Sequence, residues 1–234
     1  MTTPITSIAP EGPVRGGVVV IQEAFGVTGH IVDVCRRFAD AGYHAVAPHL
    51  FHRRGDPVLE YDDMTSAMSL IGELTAAHID EDVDGAVAAL SAASIDPRNT
   101  AIVGFCMGGT VAFHTATRLD LGAAVSFYGG GVAKGRFGYP SQLDVAEQLG
   151  TPWLGLFGDR DKGISTEEVE ELRAAVAHTP VDTEIVRYAE AEHGFHCDDR
   201  PIVYDEAAAR DGWARTLAWF GSHIDVTRAA AGTD

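Results

Sequence analysis

The run Gly17-Val-Val-Val-Ile-Gln22 puts β-branched and apolar residues at successive rather than alternate positions. Neighbouring side chains of a strand point to opposite faces, so an unbroken apolar run means that both faces are covered. That pattern belongs to a parallel sheet with helices on each side. Parallel neighbours need long crossovers, and helix-length segments duly follow. Ile31, Val34, Cys35 and Phe38 recur at helical spacing and stop at Gly42. Tyr43–Pro48 reads as the next strand, closed by its proline. Asp63–Ser91 reads as a long helical stretch with a break near Gly72 or Ala77. Ala123–Tyr128, Trp153–Phe157 and Thr183–Tyr188 read as further strands, and Thr166–His178 and Asp205–His223 as helices. Between them, Gly131–Gly150 is a variable connection with a short helix around Leu143–Leu149.

The expected architecture is one α/β domain over residues 1–234: a mostly parallel central sheet with helices on both faces, in three layers. Residues 1–15 form an irregular lead-in with room for one edge strand, and residues 227–234 a flexible tail. Ligands of such sheets sit beyond the carboxyl ends of the strands. The strand ends therefore nominate Glu23, His49, Cys106, Tyr128, Asp159 to Asp161, and His193.

The sharpest of these ends is Thr100-Ala-Ile-Val-Gly-Phe-Cys-Met-Gly-Gly109. Thr100, Ile102 and Val103 fit a short buried strand, and the residues from Gly109 fit a helix, so Cys106 sits in the turn between them. Gly104 and Gly108 flank it where a tight reversal leaves no room for Cβ atoms. The turn forces the thiol outward beside the N–H groups of Met107 and Gly108, a setting that favours negative charge and eases loss of the thiol proton.

Two partners follow. Asp161 stands three residues past Gly158, and His193 lies in a small-residue loop after the last strand. Asp159 competes for the acid role, but Asp161 has the longer reach from the strand end. Nucleophile, acid and histidine occur in the chain order of an α/β-hydrolase, with Cys in place of Ser. The chemistry needs those types: a thiolate to attack a carbonyl carbon, an imidazole to move the proton, and a carboxylate to hold the imidazole's tautomer.

Four stretches carry a resemblance: Gln22-Glu-Ala-Phe-Gly26, Gly104-Phe-Cys-Met-Gly-Gly109, Gly158 with Asp161, and His193-Gly-Phe195. Together they resemble the dienelactone hydrolase (carboxymethylenebutenolidase) family of the α/β-hydrolase superfamily, from about Gly16 to His223. The resemblance implies a cofactor-free carboxylic ester hydrolase of small esters or lactones, with Cys106, Asp161 and His193 as triad. It gives Glu23 the role of accepting the thiol proton, a role that suits a desolvated carboxylate at a strand end. It implies an oxyanion hole from the N–H groups of Met107 and Ala24. Phe25 and Tyr128 are expected to line the pocket and touch the substrate, or else to belong to the core.

The chain also departs from the family. Members that open dienelactone grip its carboxylate with arginines, one in the long helix after the second clear strand and one shortly after the histidine. Here no Arg or Lys lies between Gly55 and Pro97, and the loop after His193 reads Gly-Phe-His-Cys-Asp-Asp. Arg53 and Arg54 are the nearby substitutes.

Seventeen Lys and Arg against 34 Asp and Glu give a net charge of −17, which argues against nucleic acid or an anionic membrane as partner. The N-terminal residues show no secretory signal, no apolar run reaches membrane-spanning length, and three cysteines at unrelated spacings fit a reducing cytosol without disulfides. His49, His52, His193, His196 and Cys197 lack the spacing of a metal site, so none is expected. The rival reading is a redox-responsive or ligand-binding protein on the same scaffold, since an accessible thiolate beside a histidine suits that too.

Overall fold

The computed structural model describes residues 3–224. Its seven strands are β1 (Ile5–Ile8), β2 (Gly16–Ile21), β3 (Tyr43–Pro48), β4 (Thr100–Phe105), β5 (Ala123–Phe127), β6 (Trp153–Gly158) and β7 (Thr183–Tyr188). They form one sheet in the order β1-β3-β2-β4-β5-β6-β7, parallel except for β1, which runs antiparallel along β3. The lead-in thus does hold an edge strand. The tail expected over 227–234 lies outside the described residues.

The unbroken β-branched runs behave as their pattern requires. Val19, Ile21 and Ile102 point into one core and Val18, Val20 and Val103 into another, all fully buried. The first core is closed by α3 (Ala76–Ala92), α4 (Met107–Arg118) and α6 (Thr166–Val176), through Ile79, Leu90, Phe113 and Leu172. The second is closed by α1 (Gly29–Asp40) and α7 (Glu206–His223), through Ile31, Phe38 and Phe220.

The helical stretch after β3 divides into α2 (Met64–Gly72) and α3, because the Thr75 hydroxyl caps a new start by accepting from the His78 N–H at 3.3 Å. The helix after Cys106 begins at Met107, two residues earlier than its apolar spacing indicates. Glycine disguised those residues. Ser165 and Glu168 form a reciprocal capping box at the head of α6. A single short helix, α5 (Gln142–Val145), interrupts the long connection after β5 and passes into a 3-10 turn over Ala146–Gln148. Among the described residues no helix is long and apolar enough to cross a membrane.

Candidate active site

The turn after β4 is over-determined by close approach. A Cβ on Gly104 would lie 1.9 Å from the Gly108 carbonyl oxygen, and one on Gly108 would lie 2.5 Å from that of Ile21. No side chain fits either gap. The chain therefore reverses at Cys106, which takes φ 57° and ψ −117°, a conformation L-residues hold only when their surroundings force it. Gly108 also lets the head of α4 close on the end of β2. The N–H of Met107, in the first turn of α4, has no acceptor within the helix.

The segment leaving β2 is pinned just as firmly. The Gln22 side chain accepts from the Leu50 N–H at 3.0 Å and donates to the Glu23 carbonyl at 3.3 Å. Gly26 holds φ 89°, and Thr28 caps α1. Ala24 and Met107 thus line one cavity together with Cys106, Asp161 and His193. Its volume is about 730 Å³.

His193 Nδ1 lies 2.6 Å from Asp161 Oδ2. The other Asp161 oxygen accepts from the Gly163 N–H at 2.7 Å, which fixes the carboxylate plane. Burial of His193 works against its charged form, but the Cys106 sulfur and Asp161 outweigh it and push its pKa up to about 10. Asp159, the competitor, is occupied elsewhere: Arg187 grips both its oxygens at 2.7 and 2.9 Å.

Glu23 is buried. Its Oε1 accepts from the Tyr128 hydroxyl at 3.2 Å, and its Oε2 has no hydrogen-bond partner among the described residues. Burial, then the charge of Glu23, push the Tyr128 hydroxyl well above its ordinary range, so it stays a donor. Neither Tyr128 nor Phe25 lines the cavity, contrary to the expectation that they touch substrate. Tyr128 is spent on Glu23, and the Phe25 ring packs edge-on against Tyr61 with centroids 5.0 Å apart.

The cations at the cavity are not the expected substitutes, Arg53 and Arg54. Arg136, Arg160, Lys162 and Arg200 all line the cavity. Arg160 is paired with Glu190, and the Arg200 guanidinium lies over the Phe25 and Tyr61 rings at 5.4 and 5.7 Å. Arg200 follows two acidic residues, Asp198 and Asp199, which mask its charge in the sequence. Asp198, one of them, turns away to His30 and Arg37. Arg136 stands in the connection after β5, where no periodic pattern marks a position. Arg53 and Arg54 do not reach the cavity; they pair with Glu81 and Asp82 and with Glu73. Among the described residues no group of three metal-ligating side chains could hold an ion. His49 and His52 bond to Asp56 and Asp82 instead.

A seven-stranded, mostly parallel sheet with a glycine-flanked strand–turn–helix reversal at its centre is the α/β-hydrolase fold. The model of the dienelactone hydrolase family matches residues 6–224, and the chain belongs to that family. A Salmonella typhimurium protein named as a carboxymethylenebutenolidase is 39% identical over 208 residues, covering 88% of this chain and 77% of that one. A Methylorubrum extorquens protein of the same name is 36% identical over 219 residues, covering 89% and 74%. The solved structure of a Klebsiella pneumoniae protein described as a dienelactone hydrolase superposes with a TM-score of 0.85 at 38% identity, covering 94% of this chain and 92% of that one.

Proposed function

We propose that the chain hydrolyses small esters or lactones through a thioacyl intermediate on Cys106. The observation that carries this reading is the convergence, at one cavity, of a strained outward thiol and an imidazole held 2.6 Å from a buried carboxylate. The Cys106 thiolate attacks the carbonyl carbon, and the N–H groups of Met107 and Ala24 receive the developing oxyanion. The C–O bond then breaks, and the leaving oxygen takes a proton from His193. Water attacks the thioacyl carbon while His193 takes its proton and regains its charged form; the carboxylic acid departs, and the thiol is restored as Glu23 returns the proton it took. One ester and one water balance the reaction. Lactones follow the same course, with the alcohol retained in the product.

Asp161 holds the imidazole in the orientation that serves both steps. Glu23 is assigned the proton of Cys106 in the approach to attack; its unpartnered, buried Oε2 supports that role. A reducing compartment such as the cytosol belongs to this reading, because an oxidised sulfur cannot attack.

The test is turnover of p-nitrophenyl acetate by the Cys106→Ala variant, with mass spectrometry of the wild type after an ester pulse. Activity should fall at least about 10³-fold, and a transient acyl adduct should sit on Cys106. Retained activity removes the nucleophile. Absence of any adduct at early times favours a thiol that senses rather than turns over.

A further inference from the structure

The cavity has two unlike walls. Met64, Met68 and Ile71 of α2 line one side, continued by Leu74 beyond the helix end. Arg160, Lys162 and Glu192 line the other, beside Asp161 and His193. The α2 wall is anomalous. Only five large apolar side chains are exposed among the described residues, and two of them are Met64 at 46% and Met68 at 56%. Helix α2 is not loose: Ala67, one residue before Met68, is fully buried in a cluster with Ala24 and Phe25. The apolar wall is therefore anchored to the same segment that supplies the Ala24 N–H.

Reaction chemistry assigns the two sides. His193 gives its proton to the leaving oxygen, so the alcohol portion must lie towards the His193 and Asp161 loops, beside Arg160, Lys162 and Glu192; Arg200, over the Phe25 ring, is a lining cation next to the Ala24 segment instead. The acyl portion extends the opposite way, past Ala24 and along α2. We propose that the preferred substrates are esters with an apolar acyl chain of medium length, seated on Met64, Met68 and Ile71. This rests on the Cys106 reading above. Unbranched, flexible methionines suit a wall that meets chains of varying shape, and about 730 Å³ is far more room than an acetyl group fills. Exposed methionines that cost the free protein solvation become covered when an acyl chain arrives.

The experiment measures kcat/KM for p-nitrophenyl acetate, butyrate and octanoate in the wild type, Met68→Glu and Val14→Glu. Efficiency should rise with chain length by up to about fourfold for each methylene seated, the factor that follows from taking one CH2 out of water. Met68→Glu should lower the octanoate-to-acetate ratio at least tenfold. Met68 is an exposed helical position and Glu is as good a helix former as Met, so this variant folds. Val14→Glu changes an exposed apolar residue outside the cavity and should leave the ratio where it was. A wild-type profile that is flat or falls with chain length overturns the acyl wall, as does a ratio that Met68→Glu leaves unmoved. Cys106→Ala separates the two readings: if it abolishes acetate turnover while the wild-type profile is flat, the nucleophile stands and only the wall falls.

Discussion

His193 and His196 sit three residues apart on one loop and meet opposite environments. His193 opens on the cavity, 2.6 Å from a carboxylate whose other partner is a backbone N–H, and its pKa is pushed up to about 10. His196 is fully enclosed. Its ring lies among Phe105, Phe127 and Trp213, with centroids at 5.0, 4.9 and 6.2 Å. Burial first, then the nearby His30 and Arg37, push its pKa down to about 3. Asp198, whose charge works the other way on His196, is shared between His30 and Arg37. Among the described residues Asp161 forms an ion pair with His193 and with no other cation. What distinguishes the two histidines is not residue type or position in the chain, but whether the Cys106 sulfur and a carboxylate face the ring, as they do at His193, or burial goes unopposed, as it does at His196.

Replacing each carboxylate by its amide breaks the comparison most sharply. Asp161→Asn should lower kcat/KM on an activated ester by about 10³ to 10⁴-fold, because the amide turns the His193 ring to the wrong tautomer. Asp198→Asn removes a partly exposed ion pair and a hydrogen bond, so it should cost about 1 kcal/mol of stability. Its specific activity per folded molecule should stay within a few-fold of the wild type. Equal losses of activity in the two variants would show that both pairs serve only to hold the loop.

Much of this was open to reading in the sequence. The unbroken run at Val18–Ile21 forced a doubly covered sheet, and the glycines around Cys106 forced the reversal, because each constraint is local and steric. The pairing of Asp161 rather than Asp159 with His193 was also legible from reach alone. The lining of the cavity was not. Phe25 and Tyr128 stand at strand ends, yet which way a strand-end side chain turns depends on what it meets, here Tyr61 and Glu23. Arg136 and Arg200 reach the cavity from loops, where no period fixes direction. Met64 and Met68 carried no signal because methionine in an amphipathic helix reads as core.

The next effect is smaller and lies in acid. An unfolded histidine titrates near about 6.5, whereas folded His196 resists its proton until about pH 3. The unfolded state therefore binds more protons across that window, and stability falls as the pH is lowered through it, by at most about 1.4 kcal/mol per pH unit. His196→Phe removes the titrating ring while keeping an aromatic plane of similar size, and should change stability at neutral pH by less than about 1.5 kcal/mol. Its Tm should then exceed that of the wild type increasingly as the pH drops below about 6.5. A constant difference would mean that the ring is protonated in the folded state.

The smallest effect has the opposite slope. Folded His193 holds its proton up to about pH 10, so the imidazolium contributes stability in full below the unfolded value of about 6.5 and loses it as the pH rises through the folded value. The contribution is modest, because 35% of the side chain is exposed and water screens the pair. The Tm of the wild type minus that of His193→Gln should be greatest near pH 6 and shrink steadily towards pH 10. If it instead grows with pH, the neutral ring is the favoured form. The opposite slopes assigned to two histidines on one loop would then reduce to one, and the pull of the Cys106 sulfur and Asp161 on His193 could no longer be what separates them.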